Sequence, residues 1–198
     1  MACPPGVTIP AVILVSGGTT GTPKGAVGLH SSLVAAGLQI HAWLRPVWQD
    51  WHDVILLPLP LFHAYGHIAG QSVAFVGHNP LALIPNPRDI SDILRTIQRV
   101  CPAFLGGVPT LFHALLQHPE VQARTVDFRC LKICFSGAAA LPTDTRQRFE
   151  ALTGGRIIEG YSLTEAMLAC VLMDHALRNR AQCGDVKLPA APVPGRRG

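Results

Sequence analysis

The stretch SGGTTGTPKG, residues 16–25, sets four glycines, three threonines and a lysine into ten positions directly behind an apolar run. Glycine permits positive φ and close approach of the main chain to a ligand, so successive N–H groups can form an anion-binding nest. Threonine hydroxyls add donors and Lys24 adds a full positive charge, a combination that suits a polyphosphate. The stretch departs from the nucleotide loop GxxxxGK[ST]: Pro23, which has no N–H, precedes the lysine, and Gly25 stands where a hydroxyl residue would follow. A flexible glycine-threonine hairpin would explain the glycines but neither Pro23 nor Lys24, and the composition of the loop alone leaves both readings open. His63 and His67 have the i, i+4 spacing of some zinc sites, but neither a third ligand nor an HExxH pattern accompanies them. The stretches FHAYG and GYSLTEA add aromatic, hydroxyl and carboxylate side chains. Each alone also fits an ordinary core or surface residue.

These stretches need a scaffold, and the hydrophobic pattern supplies one. PAVILV (10–15), DVILLPL (53–59), PLALIP (80–85), AFLGGVP, LKICFSG (131–137) and RIIEGY read as strands, the last of them closing the series. Between them HSSLVAAGLQIHAWL (30–44), AYGHIAGQSVAFVG (64–77), TLFHALLQHPEV and LPTDTRQRFEALTGG read as helices. Ile90, Ile93, Leu94, Ile97 and Val100 follow the i, i+3, i+4, i+7 rhythm of another, with Asp89 as its N-cap. Asp144 and Gln147 have capping-box spacing, and Gly154 fits a C-cap. Strand alternating with helix predicts an α/β fold, a mostly parallel sheet with helices on both faces. In open sheets of that kind ligands bind at the carboxyl ends of strands, and four stretches fall there: the glycine loop, FHAYG, SGAAALP and GYSLTEA.

A chain of 198 residues with 48% hydrophobic and 14% charged residues has the composition of one folded domain, and it is apolar enough to expect a partner surface. The excess charge of +4 lies in the tail: through Leu177, eleven Lys/Arg oppose eleven Asp/Glu, whereas residues 178–198 hold five basic residues against Asp185. This basic Pro/Gly-rich tail has no aromatic residue to stack on a base, so a solvated tail is expected, not a nucleic-acid arm. It would permit peripheral contact with a membrane without establishing it. The longest apolar run, VILLPLPLF, is broken by two prolines and is too short to span a bilayer, and the N-terminus lacks the basic region of a signal peptide. A cytoplasmic location is expected. The six cysteines include no CxxC pair; Cys130 and Cys134, four apart on a strand, would have alpha carbons about 13 Å apart, too far for a bridge. Buried, reduced thiols are expected.

Four motifs in order, SGGTTGTPKGA, LPLFHAYG (59–66), SGAAALP (136–142) and EGYSLTEA (159–166), resemble the signatures of the adenylate-forming (AMP-binding) superfamily. The text between them, with IPNPRDI, GVPTLFHALLQHP and RFEALTGGRIIEGY, looks most like bacterial long-chain fatty-acid CoA ligases (acyl-CoA synthetases), over roughly Ala11 to Pro194. The resemblance implies acid-thiol ligase activity: a carboxylic acid and ATP give an acyl-adenylate and pyrophosphate, then the acyl group passes to coenzyme A, with Mg2+ assisting the first step. Ser16, Gly17, Gly18, Thr19, Thr20, Gly21, Thr22, Lys24 and Gly25 would hold the β and γ phosphates. Gly137, Ala138 and Ala139 would form a small-residue wall beside adenine. Glu159, Gly160 and Tyr161 would line the nucleotide, with Tyr161 against the base. Thr164 would meet the α phosphate and Glu165 would hold the metal. His63 would stand near the acyl carboxylate, with Tyr65 and Gly66 by the acyl channel.

Some positions depart from the family pattern. Ser162 replaces a usual glycine and could narrow the pocket or force an uncomfortable backbone angle, and Gly28 and Leu29 replace a larger apolar residue and a hydroxyl residue. The family is normally much longer, so the resemblance makes residues 1–198 a fragment of the large domain, with a core of about 11–177 and without the C-terminal lid domain. Little activity is expected of it alone. A non-catalytic ATP-binding module, an aryl-CoA ligase and an unstable remnant are the competing readings. Acid class and oligomeric state are not encoded in any motif.

Overall fold

In the computed structural model, residues 9–16, 22–168 and 171–173 are described; the tail 178–198 lies outside them. The apolar run behind the glycine loop becomes β1 (Pro10–Ser16), which pairs antiparallel with β2 (Lys24–Leu29), Ser16 opposite Lys24. The two strands form a sheet of their own. α1 (His30–Leu44) follows directly.

The remaining strands are β3 (Ile55–Leu57), β4 (Leu81–Leu83), β5 (Phe104–Gly107), β6 (Ile133–Ser136), β7 (Arg156–Tyr161) and β8 (Val171–Met173). They lie in the order β4-β3-β5-β6-β7-β8, parallel throughout except for antiparallel β8. Their side chains alternate between two apolar layers, as a sheet covered on both faces requires. Ile55, Leu57, Phe104, Ile133 and Phe135 join α1, a π-helix at Tyr65–Ser72 and α2 (Val73–Gly77) in one layer. Leu56, Leu105, Cys134 and Ile157 meet α3 (Ile90–Val100), α4 (Pro109–Gln117), α5 (Pro119–Gln122) and α6 (Thr143–Thr153) in the other. Each large side chain fully buried there contributes about 1.5–3 kcal/mol.

α1 and α3 occupy the spans their hydrophobic spacing predicts, and Asp89 caps α3 by accepting the Asp92 N–H at 2.9 Å. Several expectations need correcting. The strand at 10–15 forms, but its partner is the unforeseen β2 and not the parallel sheet. The helix expected from Thr110 to Val121 divides at Pro119, which supplies no N–H and holds the preceding His118 extended at ψ 134°. Asp144 and Gln147 form no capping box, because Pro142 is the N-cap of α6 and no side chain bonds there; Gly154 does end it, left-handed at φ 73°. RIIEGY is not the last strand, since β8 pairs beyond it. The thiols are not uniformly buried: Cys134 is, Cys130 is half-buried and Cys101 is exposed. Among the described residues no helix is long and apolar enough to cross a membrane.

Candidate active site

The parallel register sets Ser136 beside Glu159 and Gly107 beside Ser136, so β5 and β6 end together and β7 runs two residues further, to Tyr161. A cavity of about 530 Å³ opens at those carboxyl ends. Three of the four chemistry-bearing stretches converge on it: Gly137–Ala140 after β6, Glu159 to Ser162 with Thr164 at and beyond the end of β7, and His63 to Tyr65 after β3. Phe135 and Leu168 complete its apolar lining.

Tyr65 holds this mouth in place. Its buried hydroxyl accepts the Gly107 N–H at 3.2 Å and lies 2.9 Å from the Gly107 carbonyl and 2.5 Å from that of Phe135; its one proton goes to either oxygen. The phenol thus joins the start of the π-helix to the ends of two strands. Its ring also leaves no room at Gly137, where a Cβ would sit 3.0 Å from Tyr65 Cε1. At Gly160 a Cβ would come 2.4 Å from Phe135 Cζ. Ala138 adopts φ 69°, a left-handed conformation that costs a non-glycine residue roughly 1–2 kcal/mol. Glu159 Oε2 accepts the Leu141 N–H at 3.1 Å and ties the small-residue loop to β7. His63 Nδ1 accepts the Tyr65 N–H at 3.2 Å, so the neutral ring carries its proton on Nε2.

Tyr161 is exposed and Thr164 is half-buried, both at the cavity wall. Ser162 lines it too, and its φ is not among the positive values, so the expected backbone discomfort does not arise. Gly66 is buried against the Pro60 carbonyl, 2.4 Å from where a Cβ would stand, and is not part of the lining. Thr22, Lys24 and Gly25 are exposed at the loop end of the hairpin, and Glu165 is exposed on the 3₁₀ turn Thr164–Ala166; none of the four lines the cavity. Gly17, Gly18, Thr19, Thr20 and Gly21 lie outside the described residues, and Ser16 is the last residue of β1.

The hairpin reaches the site through Gly28. A Cβ there would fall 2.4 Å from Met167 Sδ and 2.8 Å from Val12 Cγ1, so the glycine lets β2 lie close against the turn that carries Thr164 and Glu165. Met167 and Leu168 leave that turn with φ 47° and 58°. Among the described residues no group of three His, Cys, Asp or Glu could hold a metal alone. A single carboxylate fits a magnesium ion that arrives with phosphate oxygens and water as its other ligands. The contributions of Phe135 and Leu168 to the lining had no sequence signal, being apolar residues outside the four motifs, whereas Ala140 lies within SGAAALP without having been singled out.

The family model for the AMP-binding enzyme matches residues 3–195. The long-chain-fatty-acid–CoA ligase of Bacillus subtilis (strain 168) is 37% identical over 156 residues, covering 79% of this chain and 27% of that protein. The malonate–CoA ligase of Arabidopsis thaliana is 29% identical over 206 residues, covering 94% of this chain and 32% of that one. The N-terminal domain of FACL13 from Mycobacterium tuberculosis, in an inhibitor-bound crystal structure, superposes with a TM-score of 0.73 at 26% identity, over 85% of this chain and 40% of that one. The chain therefore spans about a third or less of the length of these curated relatives. With the ordered motifs, the parallel sheet and the cavity at its carboxyl edge in agreement with that match, the chain belongs to the AMP-binding enzyme family.

Proposed function

We propose that this chain carries the nucleotide half of an ATP-dependent acid–CoA ligase, and that its acid is a long-chain fatty acid. The observation that carries this reading is the joining of Gly137–Ala139 with Tyr161, Ser162 and Thr164 around one cavity, a slot of small residues with an aromatic ring at its edge. Adenine would lie between Tyr161 and the backbone of the small-residue wall. Thr164 would donate to the α phosphate, and Thr19, Thr20, Thr22 and Lys24 to the β and γ phosphates.

A substrate carboxylate oxygen attacks the α phosphorus, and the bond to pyrophosphate breaks. Negative charge moves onto the departing group, where hydroxyls, amides and the Lys24 ammonium stabilise it. His63, with Nδ1 engaged by the main chain, presents Nε2–H to the acid. Glu165 would hold the magnesium ion, which supplies positive charge to the phosphates when bound. Coenzyme A then takes the acyl group on its thiol and AMP leaves.

Support for a fatty acid comes from the Bacillus subtilis relative, at 37% identity. The Arabidopsis thaliana relative supports a short dicarboxylate as the second reading. Calorimetry of the chain with ATP and magnesium tests the nucleotide site. Lys24→Ala and Glu165→Gln are each expected to weaken binding about 10- to 100-fold, the loss of one charge-assisted contact. Failure of the parent to bind ATP overturns the reading. Product assays over saturated acids of graded length, malonate and benzoate then fix the acid class.

A further inference from the structure

At the opposite end of the sheet from the cavity, two thiols are brought together. Cys101 ends α3 in a left-handed conformation, φ 47°, and is exposed. Cys130 is half-buried in the turn before β6. The first pair of the parallel β5–β6 ladder is Phe104 with Ile133, and the Ala103 carbonyl accepts from both Lys132 N–H, at 2.9 Å, and Ile133 N–H, at 3.1 Å. Each cysteine stands three residues ahead of its member of that first pair, so the register that opens the ladder brings the end of α3 and the turn before β6 to the same end of the sheet. Neighbouring strands lie about 4.8 Å apart, so the chain passes from the end of α3 and from the turn before β6 into a closely spaced pair within three residues. The side chains meet as well: burial first, then the hydrogen bond with the Cys101 thiol, pushes Cys130 up to about 12. Arg129, paired with Asp127, is within electrostatic reach of Cys101. Cys134, the next thiol along β6, is fully buried in the opposite layer from the cavity and has no such access.

We propose that Cys101 and Cys130 form an oxidation site, in which a hydroperoxide oxidises the exposed Cys101 and Cys130 closes a disulfide on it. The Cys101 sulfur attacks the nearer peroxide oxygen, the O–O bond breaks, and Cys101 becomes a sulfenic acid while water or an alcohol leaves. The Cys130 sulfur then attacks the Cys101 sulfur, the S–O bond breaks, and hydroxide departs with the Cys130 proton as a second water. Two thiols lose two electrons and two protons; the peroxide gains them. The raised Cys130 makes this second step the slower one, because the thiolate is the better nucleophile. The closed ring ties the end of α3 to the start of β6 around α4 and α5, restricts the unfolded chain and raises the thermal midpoint.

The test treats the full chain with hydrogen peroxide, alkylates the remaining thiols, digests without reductant and maps the peptides by mass. A peptide pair joined through Cys101 and Cys130, lighter by two hydrogens and separated by dithiothreitol, is expected, together with the higher midpoint. Cys101→Ser should leave Cys130 alkylated, and Cys130→Ser should leave a sulfenic acid on Cys101 that dimedone traps. In urea the pairing should scramble among the cysteines. Recovery of both residues alkylated, or of Cys101 joined chiefly to another cysteine while circular dichroism reports a folded chain, overturns the proposal. Neither result depends on whether the cavity binds a nucleotide.

Discussion

Tyr65 shows how much of a site can rest on one hydroxyl that never needs to touch substrate. Its partners are main-chain atoms of Gly107 and Phe135, 42 and 70 residues away, so no local pattern could announce them. The motif LPLFHAYG marks the residue, and the sequence reading sets it by the acyl channel; the pin between two strand ends emerges only from the fold. Tyr65→Phe is expected to leave the Gly107 N–H without its acceptor and to cost about 1–3 kcal/mol, measured as the shift in urea midpoint at constant slope. Ala138 carries the opposite signature, a residue held in a conformation its side chain resists. Ala138→Gly should raise the thermal midpoint, since relief of roughly 1–2 kcal/mol of backbone strain exceeds the roughly 0.5–1 kcal/mol of added chain entropy. Ala138→Val should lower it.

Elements separate conformational glycines from steric ones, and substitution can tell them apart. Gly154 ends α6 at φ 73° with nothing within 4 Å of a Cβ, whereas Gly160, in β7, is fixed by the Phe135 ring. Gly154→Ala should cost about 1 kcal/mol whatever surrounds it. Gly160→Ala should cost about 1–3 kcal/mol and recover most of that when combined with Phe135→Leu, which makes room; unfolding of the single and double variants checks the difference. Sequence pattern was sufficient for α1, α3 and the positions of the parallel strands, where apolar spacing is regular. It was insufficient for β2: KGAVGL has two glycines and begins at a loop, and it becomes a strand because PAVILVS lies against it. The α6 capping box failed for a related reason. Asp144 and Gln147 had the right spacing, but Pro142 had already taken the cap position.

Across the whole molecule, the two layers share one sheet, so neither can lose its packing without exposing strands that the other needs. Phe104→Ala in the α1 layer and Phe112→Ala in the α4 layer should each cost about 3–5 kcal/mol and move a single cooperative transition, seen at coincident midpoints by fluorescence and circular dichroism. Separate transitions would show that the layers unfold independently. Alternating strand and helix foretold this architecture, and the carboxyl-edge rule foretold where three motifs meet. The glycine loop followed another logic, since its flanks pair with each other and not with the parallel strands. That hairpin meets the turn after β7 where Gly28 gives way to the Met167 sulfur. A side chain at Gly28 fits only once Met167 and Val12 have moved or been made smaller, so the order in which substitutions arise, and not just their sum, bears on which variants of this lineage can be reached.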